Sequence, residues 1–336
     1  MQELQQRETR YFTPDSVANA ARILLDGGLV VFPTETVYGL GADAGNHAAC
    51  QAVYAAKGRP ADNPLIVHLY SLEQLEDCVA ELPDAARRLY EAFSPGPLTI
   101  VLPKSERICD AATAGLPTVG IRFPSHPVAR RFLEAVRTPV AGPSANMSGR
   151  SSTTSFQMAV EHMKGRVDGI IDGGDCTVGL ESTILGFDDA GRVRILRPGA
   201  VTYEMIRDLL GDEAVVKPTD YRPNVDRPEA PGMKYAHYQP RAAVYLMAEV
   251  DAELLETRFP NDTVGYIGLV DPSPVAERVK VRTFPDLTSY ARNLYRSFHD
   301  FDEQGCTIIV AEVPPRTGLG VALMDRLDKA AEGRVL

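Results

Sequence analysis

No run of apolar residues in this 336-residue chain approaches the roughly 20 needed to cross a bilayer. The first residues, MQELQQRETRYF, are polar and lack the apolar centre of a secretory leader, so a soluble, cytoplasmic protein with no membrane association is expected. Basic residues are in deficit: 35 Lys and Arg stand against 45 Asp and Glu, a net charge of −10. That balance excludes a chain-wide grip on nucleic-acid phosphates and leaves room for a local basic groove only. Cysteine is sparse and scattered. Cys50, Cys78, Cys109, Cys176 and Cys306 form no C-x-x-C pair, which argues against a zinc cluster and against a disulfide framework. Also missing are the G-x-x-x-x-G-K-[ST] phosphate loop, the H-E-x-x-H helix, the G-x-S-x-G elbow and the kinase signature. A nucleotide would have to be held by dispersed Lys, Arg, Ser, Thr and Asn, a set that positions and neutralises rather than attacks.

What remains is an ordinary globular composition, 44% hydrophobic and 24% charged, at a length that suits two compact domains and a linker. Thr13-Pro14-Asp15 opens a helix that Gly27-Gly28 closes, and LVVF (29–32) reads as a buried strand. Asn46 caps a helix reaching Lys57, PLIVHL is a strand, and Ser71 with Gln74 has capping-box spacing. Further strands are expected at 98–102, 119–123 and 138–142, with helices at 84–93 and 126–136. Strands at 168–172, 181–187 and 192–196 lack long helices between them. The expected fold class is therefore mixed α/β (α+β) with a partly antiparallel sheet. From 211 to 240 the texture changes: Pro218, Pro223, Pro228, Pro231 and Pro240 interrupt any period, as in a linker or a functional lid. After it AAVYLM, TVGYIG, KVRTF and CTIIV alternate with helices near 250–258, 286–300 and 319–331, a smaller α/β unit without a G-x-G-x-x-G turn. The expected division is 1–210, linker 211–240, and 241–336.

Lys57 and Arg59 stand two positions apart, with Gly58 and Pro60 fixing the backbone around them. An amine beside a guanidinium fork suits a polyphosphate, although two cations on a turn are more often plain solvated surface. His68 falls on the opposite strand face from Leu65, Val67 and Leu69, where a satisfied core histidine is the commoner outcome. PTETVYGLGAD (33–43) follows a buried strand and reads as a polar ligand loop or an ordinary turn. Arg122, inside the apolar strand VGIRF, demands an acidic partner, either an internal Asp or Glu or a ligand carboxylate. AGPSANMSG supplies Ser144, Asn146 and Ser148, DGGDCTVGLESTI supplies Ser182 and Thr183, and LRPGA places Arg197 at a strand end.

These segments, in this order, resemble the YrdC-like family, in its longer two-domain form, the threonylcarbamoyl-AMP synthases. The resemblance is carried by PTETVYGLG, KGRPADNPLIVH, SPGPLT, VGIRFP, GPSANMSG, DGG, GLESTI, LRPGA, APGMKYAHYQP and GLGVALMDRLDKAA. Where the family usually has Ser-Pro-Thr, this chain has Ser152-Thr153-Thr154. The resemblance implies a YrdC-like twisted mixed sheet flanked by helices, plus a Rossmann-like C-terminal α/β domain. It implies a nucleotidyltransferase that turns L-threonine, bicarbonate or CO2, and ATP carried with Mg2+ into threonylcarbamoyl-AMP and pyrophosphate. A downstream threonylcarbamoyl transferase complex would use that product for the threonylcarbamoyladenosine modification of tRNA.

By the same resemblance Thr36, His68, Arg122, Ser144 and Ser182 would hold threonine, with Arg122 on its carboxylate. Lys57, Arg59, Asn63, Thr118, Asn146, Thr154 and Arg197 would contact ATP, with Lys57 and Arg59 on the phosphates as the catalytic pair and no protein-held metal. The linker, rich in Lys234, Tyr235, His237 and Tyr238, would fold over the first domain as a water-excluding lid, bringing His237 and Tyr238 to ATP; a flexible spacer is the other reading. Two further functions stay open. A non-catalytic double-stranded RNA-binding module, or weak RNA binding beside catalysis, has the acidic balance against it. A carbamoyl transferase like the hydrogenase-maturation relatives would need a Cys pattern that is missing.

Overall fold

The computed structural model describes residues 6–217 and 238–336, so Lys234, Tyr235 and His237 of the expected lid lie outside the described residues. The first unit is built on β1 (Arg10–Phe12), β2 (Val30–Phe32), β3 (Gly39–Asp43), β4 (Ile66–His68), β5 (Leu98–Pro103), β6 (Thr118–Arg122), β7 (Val140–Gly142), β8 (Gly169–Ile171), β9 (Thr183–Phe187) and β10 (Val193–Arg197). They form one ten-stranded sheet in the order β1-β8-β2-β3-β7-β4-β6-β5-β9-β10. Parallel pairs (β1 with β8, β4 with β6, β5 with β9) mix with antiparallel ones (β2 with β3, β5 with β6, β9 with β10), as the shortage of long crossover helices led one to expect.

Helices cover both faces: α1 (Val17–Leu25), α2 (His47–Lys57), α3 (Leu72–Cys78), α4 (Asp84–Phe93), α5 (Asp110–Thr113), α6 (Pro127–Val136), α7 (Phe156–Met163) and α8 (Tyr203–Leu210). Strand alternation sorts the side chains between the two faces. Val30, Phe32 and Val140 meet Ala20, Leu24 and Phe132 of α1 and α6, whereas Val31, Leu40 and Val67 meet Val53 of α2 and Leu89 of α4. Caps set the helix starts. Asn46 accepts the Ala49 N–H at 3.1 Å, and Ser155 accepts that of Met158 at 3.3 Å.

Three details depart from expectation. Residues 39–43 are strand β3 rather than the tail of a loop, because Val30 to Phe32 offer them an antiparallel edge. Ser71 stands at the start of α3, but Gln74 Oε1 takes the Tyr70 N–H at 3.2 Å and no reciprocal box closes. The first unit also runs past residue 210: buried Val215 bridges to Val193, and the Val216 N–H reaches the Val193 carbonyl at 2.8 Å.

The second unit holds β11 (Ala243–Met247), α9 (Ala252–Thr257), β12 (Val264–Gly268), β13 (Val279–Thr283), α10 (Leu287–Glu303), β14 (Ile308–Glu312) and α11 (Leu319–Ala331). Its sheet, in the order β11-β14-β12-β13, is wholly parallel, the Rossmann-like layout expected. The two units share apolar core. Val37, Met158 and Leu180 of the first pack in one cluster with Tyr290, Leu294, Tyr295, Phe298 and Leu327 of the second.

Gly179 sits at the seam with φ +77°, where a Cβ would stand 2.2 Å from the Arg292 carbonyl of α10. Gly179→Ala should therefore destabilise the chain by about 2–4 kcal/mol through clash and left-handed strain. A thermal midpoint equal to that of the parent would show that the seam yields.

Candidate functional site

Parallel pairing of β4 with β6 in the register His68 to Arg122 sets an imidazole beside a guanidinium at adjacent strand ends. The loop after β2 crosses in front of them, tightened by Thr34 Oγ1 donating to the Val37 carbonyl at 2.6 Å and lying 2.9 Å from Thr36 Oγ1. Together with the Ser144 loop after β7, the Glu181-Ser182 segment before β9 and Arg197 at the end of β10, these elements line one concave cleft. Tyr238 closes one side.

Alternation along β4 explains His68. Leu65, Val67 and Leu69 enter the core, while Ile66 and His68 border the cleft. The imidazole meets the Phe32 ring edge-on at 5.4 Å. Burial, helped by the Arg122 charge, pulls its pKa down to about 3, so the ring is neutral. Its Nδ1–H donates to the Val140 carbonyl at 3.4 Å, which leaves Nε2 as an acceptor.

Arg122 has an internal acidic partner. Its Nη2 donates to Glu35 Oε1 at 2.7 Å, and Glu35 Oε2 accepts the Ser125 N–H at 3.0 Å. Its Nε–H, however, is buried without a hydrogen-bond partner among the described residues. Ser182 Oγ lies 2.8 Å from Thr99 Oγ1, and Arg197 Nη2 donates to the Ser182 carbonyl at 3.0 Å and hydroxyl at 3.2 Å. An irregularity in the β9–β10 ladder between Ile195 and Arg197 accompanies this placement. Glu181 is buried, which raises its pKa, but Arg326 and then Arg197 and Ser152 hold the carboxyl down at about 2.

Eight of the residues expected from the sequence thus border one cleft: Thr36, Arg59, His68, Arg122, Ser144, Ser182, Arg197 and Tyr238. Others stand elsewhere. Lys57 is expected with Arg59 on the ATP phosphates, but its Nζ is buried and donates to the Ser144 and Asn146 carbonyls, the latter at 2.6 Å. Gly58 in the left-handed region ends α2 there and turns the chain, so the two cations part. Asn146 Nδ2 is committed to the carbonyls of Met147 at 2.9 Å and Arg150 at 2.8 Å. Thr154 donates to Met158 Sδ at 3.7 Å and borders a separate cavity with Asp175 and Arg296. Thr118 opens β6, at the end opposite Arg122. Asn63 is fully buried, with neither amide atom hydrogen-bonded among the described residues; Arg59 Nη2 donates to its carbonyl at 2.9 Å. His237 lies outside the described residues.

Sequence reading missed Glu181 and the second-unit residues that meet it, Arg326 and Tyr295. A carboxylate in the otherwise small and apolar GLEST stretch was the one available signal, since it too requires a buried partner. Chemically, the cleft joins three guanidiniums, small hydroxyls and a neutral imidazole, and among the described residues no nucleophile is held against a base. Such a set suits an enzyme that positions small anionic substrates and neutralises their charge.

Residues 22–199 match the family described as Telomere recombination (Sua5, YciO and YrdC), and residues 201–332 match the C-terminal domain of threonylcarbamoyl-AMP synthase. The chain is 41% identical to the threonylcarbamoyl-AMP synthase of Pyrococcus abyssi over 94% of each chain. It is 40% identical to that of Bacillus subtilis, over 95% of this chain and 94% of the relative. The crystal structure of P. abyssi Sua5 complexed with L-threonine overlays it with a TM-score of 0.89, at 39% identity and 98% coverage of each chain. The chain belongs to the threonylcarbamoyl-AMP synthase family and is an enzyme of that type. None of its described helices is long and apolar enough to cross a membrane.

The buried imidazole has a stability consequence. Its folded pKa of about 3 lies below the ordinary 6.5, so the unfolded chain binds the extra proton and stability falls as pH drops through that window. By pH 4 the loss from this group is on the order of 3 kcal/mol. Thermal midpoints of the parent should therefore fall more steeply from pH 6.5 to 4 than those of His68→Gln; parallel profiles would contradict a neutral buried ring.

Proposed function

We propose that the cleft seats L-threonine with its carboxylate on Arg122, and ATP along Arg59 and Arg197. The observation that carries this reading is the Arg122 guanidinium, which borders the cleft, is buried, and is held in place by Glu35 at 2.7 Å. A substrate carboxylate would meet it as a second anionic partner in a dry site, where charge-assisted hydrogen bonds are strong. Thr36, Ser144 and Ser182 offer hydroxyls to the substrate's own polar groups, while Val37 and Ile66 give its methyl an apolar wall. His68, held neutral, accepts a hydrogen bond from the amine through Nε2 instead of repelling it as a second cation.

The amine nitrogen then bonds to the carbon of CO2, supplied directly or by dehydration of bicarbonate, and loses a proton to give the N-carbamate. A carbamate oxygen attacks the α-phosphorus of ATP in line, the bond to the bridging oxygen breaks, and pyrophosphate leaves. Arg59 and Arg197 offset the growing charge. Asn63 stands behind Arg59 and steadies it, its carbonyl accepting from Arg59 Nη2 at 2.9 Å. Lys57 and Asn146 serve from behind by holding the loop that presents Ser144. Glu35 and Glu181 are each committed to an arginine, so Mg2+ would enter with ATP on its phosphate oxygens. The product would pass to a threonylcarbamoyl transferase acting on tRNA. No feature of the cleft favours the RNA-binding or carbamoyl-transferase reading.

Pyrophosphate release from ATP should require both L-threonine and bicarbonate, and serine should lower kcat/KM by about 10–200-fold for want of a methyl group. Release independent of the amino acid would reject the reading. Arg59→Ala should reduce kcat/KM for ATP about 100-fold with little change in thermal midpoint; unaltered turnover would remove Arg59 from the site.

A further inference from the structure

We propose that Arg326, from the second unit, is a positioning residue for the cleft: by holding Glu181 it keeps Ser182 and Arg197 where the substrates need them. The inference rests on the threonine and ATP reading given above. Arg326 does not border the cleft; it is wholly buried behind it, on α11. Its Nε donates to Glu181 Oε2 at 2.9 Å, its Nη2 to the Glu181 carbonyl at 3.3 Å, and its Nη1 to the Pro198 carbonyl at 2.5 Å. One guanidinium therefore grips the residue before Ser182 and the residue after Arg197, two chain segments that border the cleft side by side. Ser152 Oγ donates to Glu181 Oε1 at 2.5 Å, and the Tyr295 hydroxyl stands 3.1 and 3.0 Å from the two carboxylate oxygens. The guanidinium also lies 5.7 Å from the ring of Tyr238, which closes the cleft.

Without Arg326, Glu181 would be a buried carboxylate facing two anionic substrates, and the nearest remaining cation would be Arg197. Drawing Arg197 toward Glu181 would break its two bonds to the Ser182 carbonyl. The defect is one of charge and placement, so deleting both charges should relieve it. A purely structural bond between the units would behave differently: its loss would lower stability and leave the Michaelis constants alone.

The test measures kcat and KM for L-threonine and ATP, calorimetric L-threonine affinity and thermal midpoint for R326Q, E181Q, the E181Q/R326Q double variant and Tyr295→Phe. R326Q should raise the KM for L-threonine about ten-fold or more, and the double variant should recover most of that loss, as coupled neighbours do. Tyr295→Phe, which removes one hydroxyl from Glu181, should raise it about three-fold with the fold intact. A folded R326Q with parental Michaelis constants, or a double variant no better than R326Q, overturns the proposal. Should R326Q fail to fold, a Tyr295→Phe variant with parental KM overturns it instead. If the parent released no pyrophosphate with threonine, the reaction assigned to the cleft would fall. Calorimetric affinities across the same variants would still decide the positioning role, and a parent that bound no L-threonine would overturn both.

Discussion

Burying an ionised carboxylate costs several kcal/mol even after the protein relaxes, and only a well-placed cation with supporting hydrogen bonds offsets it. Two carboxylates here accept that cost at the cleft itself. Glu35 lies 2.7 Å from Arg122 with a backbone N–H on its other oxygen, and Glu181 lies 2.9 Å from Arg326 with Ser152 and Tyr295 alongside. Each pair immobilises a stretch of chain that would otherwise be loop. The 33–38 turn is pinned through Glu35, and the 179–183 turn through Glu181. Most of the cleft's geometry follows from those two attachments. Three arginines, Arg59, Arg122 and Arg197, border the cleft together with the single carboxylate Glu181, so a locally basic site exists inside a chain of net charge −10.

The same dryness decides protonation. His68 is neutral because it is buried beside a cation, and Lys57 is pushed well below its ordinary pKa for the same two reasons, burial first and the charge of Arg59 second. A site that handles a carboxylate and a polyphosphate gains from cations, yet a protonated imidazole next to an amine would oppose amine binding. Burial gives the cleft fixed guanidiniums, which stay charged, and an imidazole that does not.

Strands and helices were legible wherever the period was clean: residues 84–93 and 319–331 are helical to the residue, and the mixed sheet followed from the missing crossover helices. The cleft was legible in part, because buried polar residues at strand ends stand out from an apolar run, as Arg122 and His68 do. What composition and spacing could not convey was direction. Lys57 and Arg59 look alike in sequence, but one ends a helix pointing into the 144–146 loop and the other follows the left-handed turn at Gly58 to the cleft. Glu181 and Arg326 were invisible as a pair, since 145 residues and a domain boundary separate them.

That separation also accounts for a second unit that carries a Rossmann-like sheet but no phosphate loop. Four consecutive residues of the first unit alternate in what they meet. Gly179 lies against the backbone of α10, and Leu180 enters the shared apolar cluster. Glu181 takes Arg326 and Tyr295, and Ser182 faces the cleft. A turn of this kind, without the second unit, would have fewer apolar contacts and a carboxylate left with Arg197 alone, which is the condition for local opening. The second unit supplies both what packs against the turn and what neutralises it. Among the described residues from Ala243 onward none borders the cleft, so what the second unit gives the site is support for this one loop.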